Sequence, residues 1–140
     1  MMNQLEKAIQ IALKAHEGQV DKGGNSYVLH PIRLMVQMPT MDLQTIAVLH
    51  DVVEDSHYTF EDLAKEGFST EVINAVRALT KQENEEYDDF IRRVKMNPLA
   101  IPVKLADMKD NSNLDRIPNP TDTDRERVKK YQKAIEFLTK

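Results

Sequence analysis

The sequence predicts an all-α protein, a single-domain irregular bundle of about eight helices occupying residues 1–140. Three observations carry this. Apolar residues recur at helical spacing along nearly the whole chain, and no run alternates like a strand. Capping signals and proline or glycine stops punctuate the pattern at short intervals. The 140 residues, 41% hydrophobic and 30% charged, are enough for one core without staples and leave no room for a second domain.

Asn3 with Glu6 reads as an N-cap and capping box. Leu5, Ala8, Ile9, Ala12 and Leu13 then share one face until Gly18 ends the helix. Residues 18–28 are the most loop-like stretch, with a turn offered by Gly23-Gly24-Asn25-Ser26. Pro31 suits the first turn of a second helix, where its missing N–H is not needed. That helix is expected to run to about Met38 and stop at Pro39. A third is expected over about residues 42–55, with Leu43, Ile46, Ala47, Leu49, His50 and Val53 inward. Thr59 and Asp62 cap a short helix that Gly67 terminates. Ser69 or Thr70 opens another, bearing Val72, Ile73, Val76 and Leu79. Beyond a loop at 80–86, Tyr87, Phe90, Ile91 and Val94 mark a sixth helix, ending near Asn97-Pro98. Pro102 sits at the start of a seventh, over about residues 103–114. Ile117-Pro118-Asn119-Pro120 is a rigid break. Thr123 with Glu126 is then expected to cap a last helix bearing Val128, Tyr131, Ile135 and Leu138.

Composition excludes several classes. Without cysteine there is no disulfide scaffold, thiolate zinc site or cysteine nucleophile. A net charge of −4 argues against a nucleic-acid partner, which calls for a basic excess. The first residues lack a basic head followed by an apolar run, and no apolar stretch approaches the ~18 residues of a membrane span. A cytoplasmic protein with no membrane partner is therefore expected. Oligomeric state is not encoded in any pattern.

Four pieces carry chemistry: His30 before Pro31, the run His50-Asp51-Val52-Val53-Glu54-Asp55, the segment Lys104-Leu105-Ala106-Asp107, and Asn111. Imidazole and carboxylate together suit a divalent ion such as Mn²⁺, Fe²⁺ or Zn²⁺. On a continuous helix His50 and Glu54 share a face, as do Asp51 and Asp55, and as do Asp107 and Asn111. Each helix so offers a ligand with a second polar group one turn above it. Three carboxylates in six residues of a core helix repel one another unless a cation compensates. Arg33, Lys104 and Lys109 are read as solvated surface cations, His16 as a brace for the first loop, and His57 as an exposed turn residue.

These residues resemble the HD superfamily of metal-dependent phosphohydrolases, and within it the hydrolase domain of RelA/SpoT-type alarmone enzymes and the small alarmone hydrolases. The resemblance rests on His16-Glu17-Gly18-Gln19, Lys22, Tyr27 and His30-Pro31. It continues through Leu49-His50-Asp51-Val52-Val53-Glu54-Asp55, Thr80-Lys81, and Val103-Lys104-Leu105-Ala106-Asp107 with Asn111. It spans about residues 5–138. Two places depart: Asp21 stands where the family has arginine, and Asn113-Leu114 where it has Arg-Thr.

The resemblance implies a hydrolase-only protein with one divalent metal, Mn²⁺, held by His30, His50, Asp51 and Asp107. It implies that Glu54 and Asp55 orient and deprotonate the attacking water, and that Lys22, Tyr27 and Asn111 lie along a nucleotide substrate. The implied activity is that of a guanosine-3′,5′-bis(diphosphate) 3′-diphosphatase. Two alternatives stay open: an HD phosphatase acting on another nucleotide or phosphate ester, and a metal-bound nucleotide sensor without turnover.

Overall fold

The computed structural model describes residues 1–140. It contains nine α-helices and one short 3₁₀ turn (Leu114–Arg116), with no sheet. The helices are α1 (Gln4–Ala15), α2 (Leu29–Met35), α3 (Met41–Leu49), α4 (Val52–Asp55), α5 (Phe60–Lys65), α6 (Thr70–Ala78), α7 (Tyr87–Lys95), α8 (Ala100–Asn111) and α9 (Asp122–Thr139). The only extended pairing is one antiparallel bridge, Val20 to Ser26, which pinches the base of the α1–α2 loop.

Local chemistry starts and stops these elements much as the sequence suggests. Asn3 and Glu6 form a reciprocal capping box on α1, and Gly18, at φ +78°, takes the left-handed turn that ends it. Thr59 and Asp62 do the same for α5, and Ser69 caps α6. Leu29–Met35 carries Pro31 in its first turn, as expected, but α2 ends at Met35 rather than near Met38. The α1 face is also rotated: Ile11 is buried, while Leu13 is exposed.

Three boundaries differ for identifiable reasons. The helix expected over 42–55 is broken at His50-Asp51, so α3 and α4 are separate. His50 Nδ1 bonds the Ala47 carbonyl at 2.6 Å, the acceptor that the Asp51 N–H would use in an unbroken helix. Helix α8 starts earlier than expected, because Asn97 Oδ1 accepts the N–H groups of Leu99 and Ala100, both at 3.1 Å. It also ends earlier, at Asn111, with Leu114 in the 3₁₀ turn. The cap of α9 is Thr121 with Asp124, not Thr123 with Glu126.

Helix α3 is the axis of the bundle. It packs against α1, α2, α4, α6 and α8, and Ile46, Ala47, Val48 and Leu49 are wholly buried. A helix surrounded this way is apolar on every side, so its sequence shows no single stripe. Around it lies one continuous core of 27 buried apolar residues drawn from α1 to α9. Because α2 packs on both α3 and α8, the start of α2, the end of α3 and the C-terminal half of α8 meet at one point.

Candidate active site

That meeting point brings together His30 from α2, His50 from the end of α3 and Asp107 from α8. Their ligand atoms all lie within 4.8 Å of one another, and the three residues are 3%, 1% and 6% exposed. His30 Nε2 lies 2.9 Å and His50 Nε2 3.5 Å from Asp107 Oδ1. Asp51 joins from the helix break, with Oδ2 3.0 Å from His50 Nε2 and 3.7 Å from His30 Nε2.

The donor set fits a cation. His50 Nδ1–H donates to the Ala47 carbonyl, so Nε2 is the nitrogen left to face the two carboxylates. That buried nitrogen has no hydrogen-bond partner. Lone pairs facing one another at these distances repel unless positive charge sits between them. The electrostatics favour positive charge at this point, carried by a proton on the ring when no ion is bound. Burial alone would lower His50, yet Asp51 and Asp107 raise it well above the usual imidazole value. Burial likewise opposes ionisation of Asp107, but Lys104 and the two histidines hold it well below the usual carboxylate range.

Beside this centre opens a cleft of about 310 Å³, lined by the α1–α2 loop, α2, the end of α8, the 3₁₀ turn and α9. Four of its lining residues are cations: Lys22, Arg33, Arg116 and Arg127. All four pair with a carboxylate, Arg33 and Arg116 with Asp110 and Lys22 and Arg127 with Asp124, beside a centre whose donor set suits a metal ion.

Comparison with known proteins identifies the family. No protein-family model matches the chain. A guanosine-3′,5′-bis(diphosphate) 3′-pyrophosphohydrolase of Aquifex aeolicus is 32% identical over 120 residues, 77% of this chain and 17% of that protein. The protein of the same name from Vibrio cholerae is 34% identical over 122 residues, 76% of this chain and 17% of its own length. A GTP pyrophosphokinase of Streptomyces coelicolor is 30% identical over 79% of this chain and 14% of its own length. The chain thus spans only a small part of the curated relatives it matches. A solved structure, described as a metazoan ortholog of SpoT that hydrolyses ppGpp and plays a role in starvation responses, superimposes with a TM-score of 0.80. It is 25% identical, and the match covers 99% of this chain and 86% of that one. The chain is a RelA/SpoT-type HD domain.

Of the other residues singled out in this HD domain, Tyr27 and Asn111 bond directly to residues of this centre. Tyr27 reaches it from the first loop, donating its hydroxyl to Asp51 Oδ2 at 2.5 Å. Burial and the Asp51 charge push its phenol far above the usual value, so it stays a donor. Asn111 Nδ2 donates to Asp107 Oδ1 at 3.0 Å, one turn along α8, and also lines the cleft. Lys22 lies on the cleft wall and pairs with Asp124 at 2.7 Å.

Glu54 and Asp55 are not core residues, as a continuous helix would have made them; α4 presents both to solvent. Glu54 Oε1 accepts the Lys81 N–H at 3.0 Å, which ties α4 to the loop after α6. Partial loss of hydration and the nearby Asp51 charge push both carboxyls above their usual range. Such a carboxylate holds a proton more tightly than an ordinary one and is the better base.

Two cations read as surface groups are structural. Lys104 is nearly buried and meets Asp107 Oδ2 at 2.9 Å, and Arg33 grips Asp110 through Nε and Nη2, both at 2.9 Å. Lys109 and His57 are exposed, as expected. His16 is buried and braces the first loop through Gln19, whose amide in turn bonds the Asp55 carbonyl at 3.0 Å. The sequence reading missed Asp110, Asp124, Arg116 and Arg127: Asp110 and Asp124 gain Arg33 and Lys22 only when distant segments pack, and Arg116 and Arg127 then join the same two carboxylates.

Proposed function

We propose that this HD domain, residues 1–140, is a metal-dependent nucleotide phosphohydrolase that removes pyrophosphate from the 3′ position of a guanosine polyphosphate. The observation that carries the reading is the unpartnered His50 Nε2, buried against Asp51 and Asp107. The activity after which the relatives from Aquifex aeolicus and Vibrio cholerae are named supports the substrate.

In this reading His30, His50, Asp51 and Asp107 hold one divalent ion, Mn²⁺. Bound there, it supplies Lewis acidity toward a phosphoryl oxygen and the attacking water. Glu54, with Asp55, takes the proton of that water. The water oxygen would bond to phosphorus as the bond to the 3′ oxygen breaks; the 3′ oxygen takes up a proton from solvent and stays on the nucleoside diphosphate, and pyrophosphate is released. Tyr27 keeps the Asp51 carboxylate turned inward. Lys104 offsets the charge of Asp107. Lys22 and Asn111 lie along the nucleotide in the cleft. With guanosine tetraphosphate the products are pyrophosphate and guanosine diphosphate.

One observation favours hydrolysis of a different nucleotide. The Asp21 carboxylate accepts the N–H groups of Gly23 and Asn25 at 2.9 and 3.0 Å. It therefore serves the turn and offers a base no cation to stack on. Metal analysis combined with product analysis over a nucleotide panel decides between them. Pyrophosphate released from 3′-pyrophosphorylated guanosine supports the first reading. Turnover of other nucleotides alone supports the second, and tight binding without product makes the protein a sensor. Cytoplasmic location belongs to the same proposal and is checked by cell fractionation.

A further inference from the structure

Asp110 belongs to none of the motifs on which the resemblance rests, yet it touches His30 and two arginines of the cleft. Its side chain is 7% exposed. Its Oδ2 lies 2.6 Å from His30 Nδ1. Arg33 clamps it with two parallel bonds, Nε to Oδ1 and Nη2 to Oδ2, both at 2.9 Å. Arg116 adds its guanidinium, 3.3 Å from Oδ2, and also bonds the Asp110 main-chain carbonyl.

An imidazole can ligate a metal only through a nitrogen without a proton, so something must decide which nitrogen keeps its hydrogen. At His50 the Ala47 carbonyl decides. At His30 no carbonyl is in place; the acceptor at Nδ1 is the Asp110 carboxylate. With Nδ1–H committed to Asp110, Nε2 is the nitrogen turned to the centre, 2.9 Å from Asp107 Oδ1 and 3.7 Å from Asp51 Oδ2. A carboxylate also makes the ring a stronger electron donor than a carbonyl does. The bidentate clamp stops that carboxylate from rotating away. Arg33 and Arg116 line the cleft as well.

We propose that Asp110, fixed by Arg33, is the positioning residue for His30: it selects the Nδ1–H form, aims Nε2 at the centre, and ties the metal site to the arginines of the cleft. The proposal rests on the reading of His30 as a metal ligand.

The test is Mn²⁺ affinity of the full chain, read from the free-ion paramagnetic resonance signal, with the apo fold monitored by circular dichroism. Asp110→Ala should bind Mn²⁺ roughly 10- to 100-fold more weakly than the unaltered protein. With Zn²⁺ as a diamagnetic substitute, the slowly exchanging His30 Nδ1–H signal should be present in the unaltered protein and absent from the variant. Equal affinities, or a retained His30 signal, overturn the proposal. If the unaltered protein binds no divalent ion, the metal-site reading itself fails and this proposal falls with it. Should Asp110→Ala not fold, Arg33→Met carries the same test: weaker Mn²⁺ binding is expected, and unchanged affinity overturns the proposal.

Discussion

Asp51 and Glu54 sit three residues apart, yet the proposed chemistry gives them separable jobs. Asp51→Ala should abolish metal uptake and turnover together. Glu54→Ala should leave metal content intact and cut turnover by about 10²-fold or more. Metal analysis and single-turnover rates on the same preparations check both. The raised carboxyls of Glu54 and Asp55 set the pH response. A base acts only when deprotonated. The rate should therefore climb with pH through a value above the ordinary carboxylate range of about 4 and then level off. Glu54→Gln should flatten that limb in a log kcat profile. At this scale the legible residues were those that sit in dense local motifs, such as His50-Asp51 and Asp107 with Asn111. Arg33 and Lys104 were misread because their partners, Asp110 and Asp107, become visible only after α2 and α8 pack or α8 buries its inner face.

Two possible caps compete at the start of α9. Both Thr121 with Asp124 and Thr123 with Glu126 satisfy the spacing of a capping box. The fold takes the first because Asp124 has further partners: Lys22 at 2.7 Å and Arg127 at 2.6 Å. A capping pattern finds the helix start to within one such alternative, and tertiary ion pairs choose the register. Thr121→Ala should therefore cost about 1 kcal/mol in denaturant unfolding, and Thr123→Ala nearly nothing. Asp124 is held below the usual carboxylate range by its bond to Lys22, by Thr121 and by Arg127. Its folded value is depressed, so its stabilisation is whole above the unfolded aspartate value of about 4 and fades as pH falls below it. Asp124→Asn should lower the urea midpoint at neutral pH and lose that difference in acid. The α3–α4 break was not legible, since neither glycine nor proline marks it and the side chain of His50 makes it.

For the molecule as a whole, helix content, the single core and most helix starts could be read from apolar spacing and caps. The meeting of α2, α3 and α8 could not be read from spacing, since it is set by packing around a helix that is apolar on all sides. Because His50, Asp51 and Asp107 are crowded within that core, metal should stabilise the entire fold. At a free ion concentration 100-fold above Kd the gain is about 2.7 kcal/mol. Adding a chelator should therefore lower the melting temperature, and an unchanged melting curve would count against the metal site.

Gly23 marks how tightly the cleft is shut on its outer side: a Cβ there would lie 2.4 Å from the Arg116 carbonyl oxygen. Next to it in the same loop, Lys22 is 54% exposed where it meets Asp124. A link so open to water is screened by dissolved electrolyte, with a Debye length of about 8 Å at physiological ionic strength. The same screening would weaken the hold of Lys22 on an anionic substrate. Added sodium chloride should raise KM steeply while leaving the unfolding temperature nearly where it was.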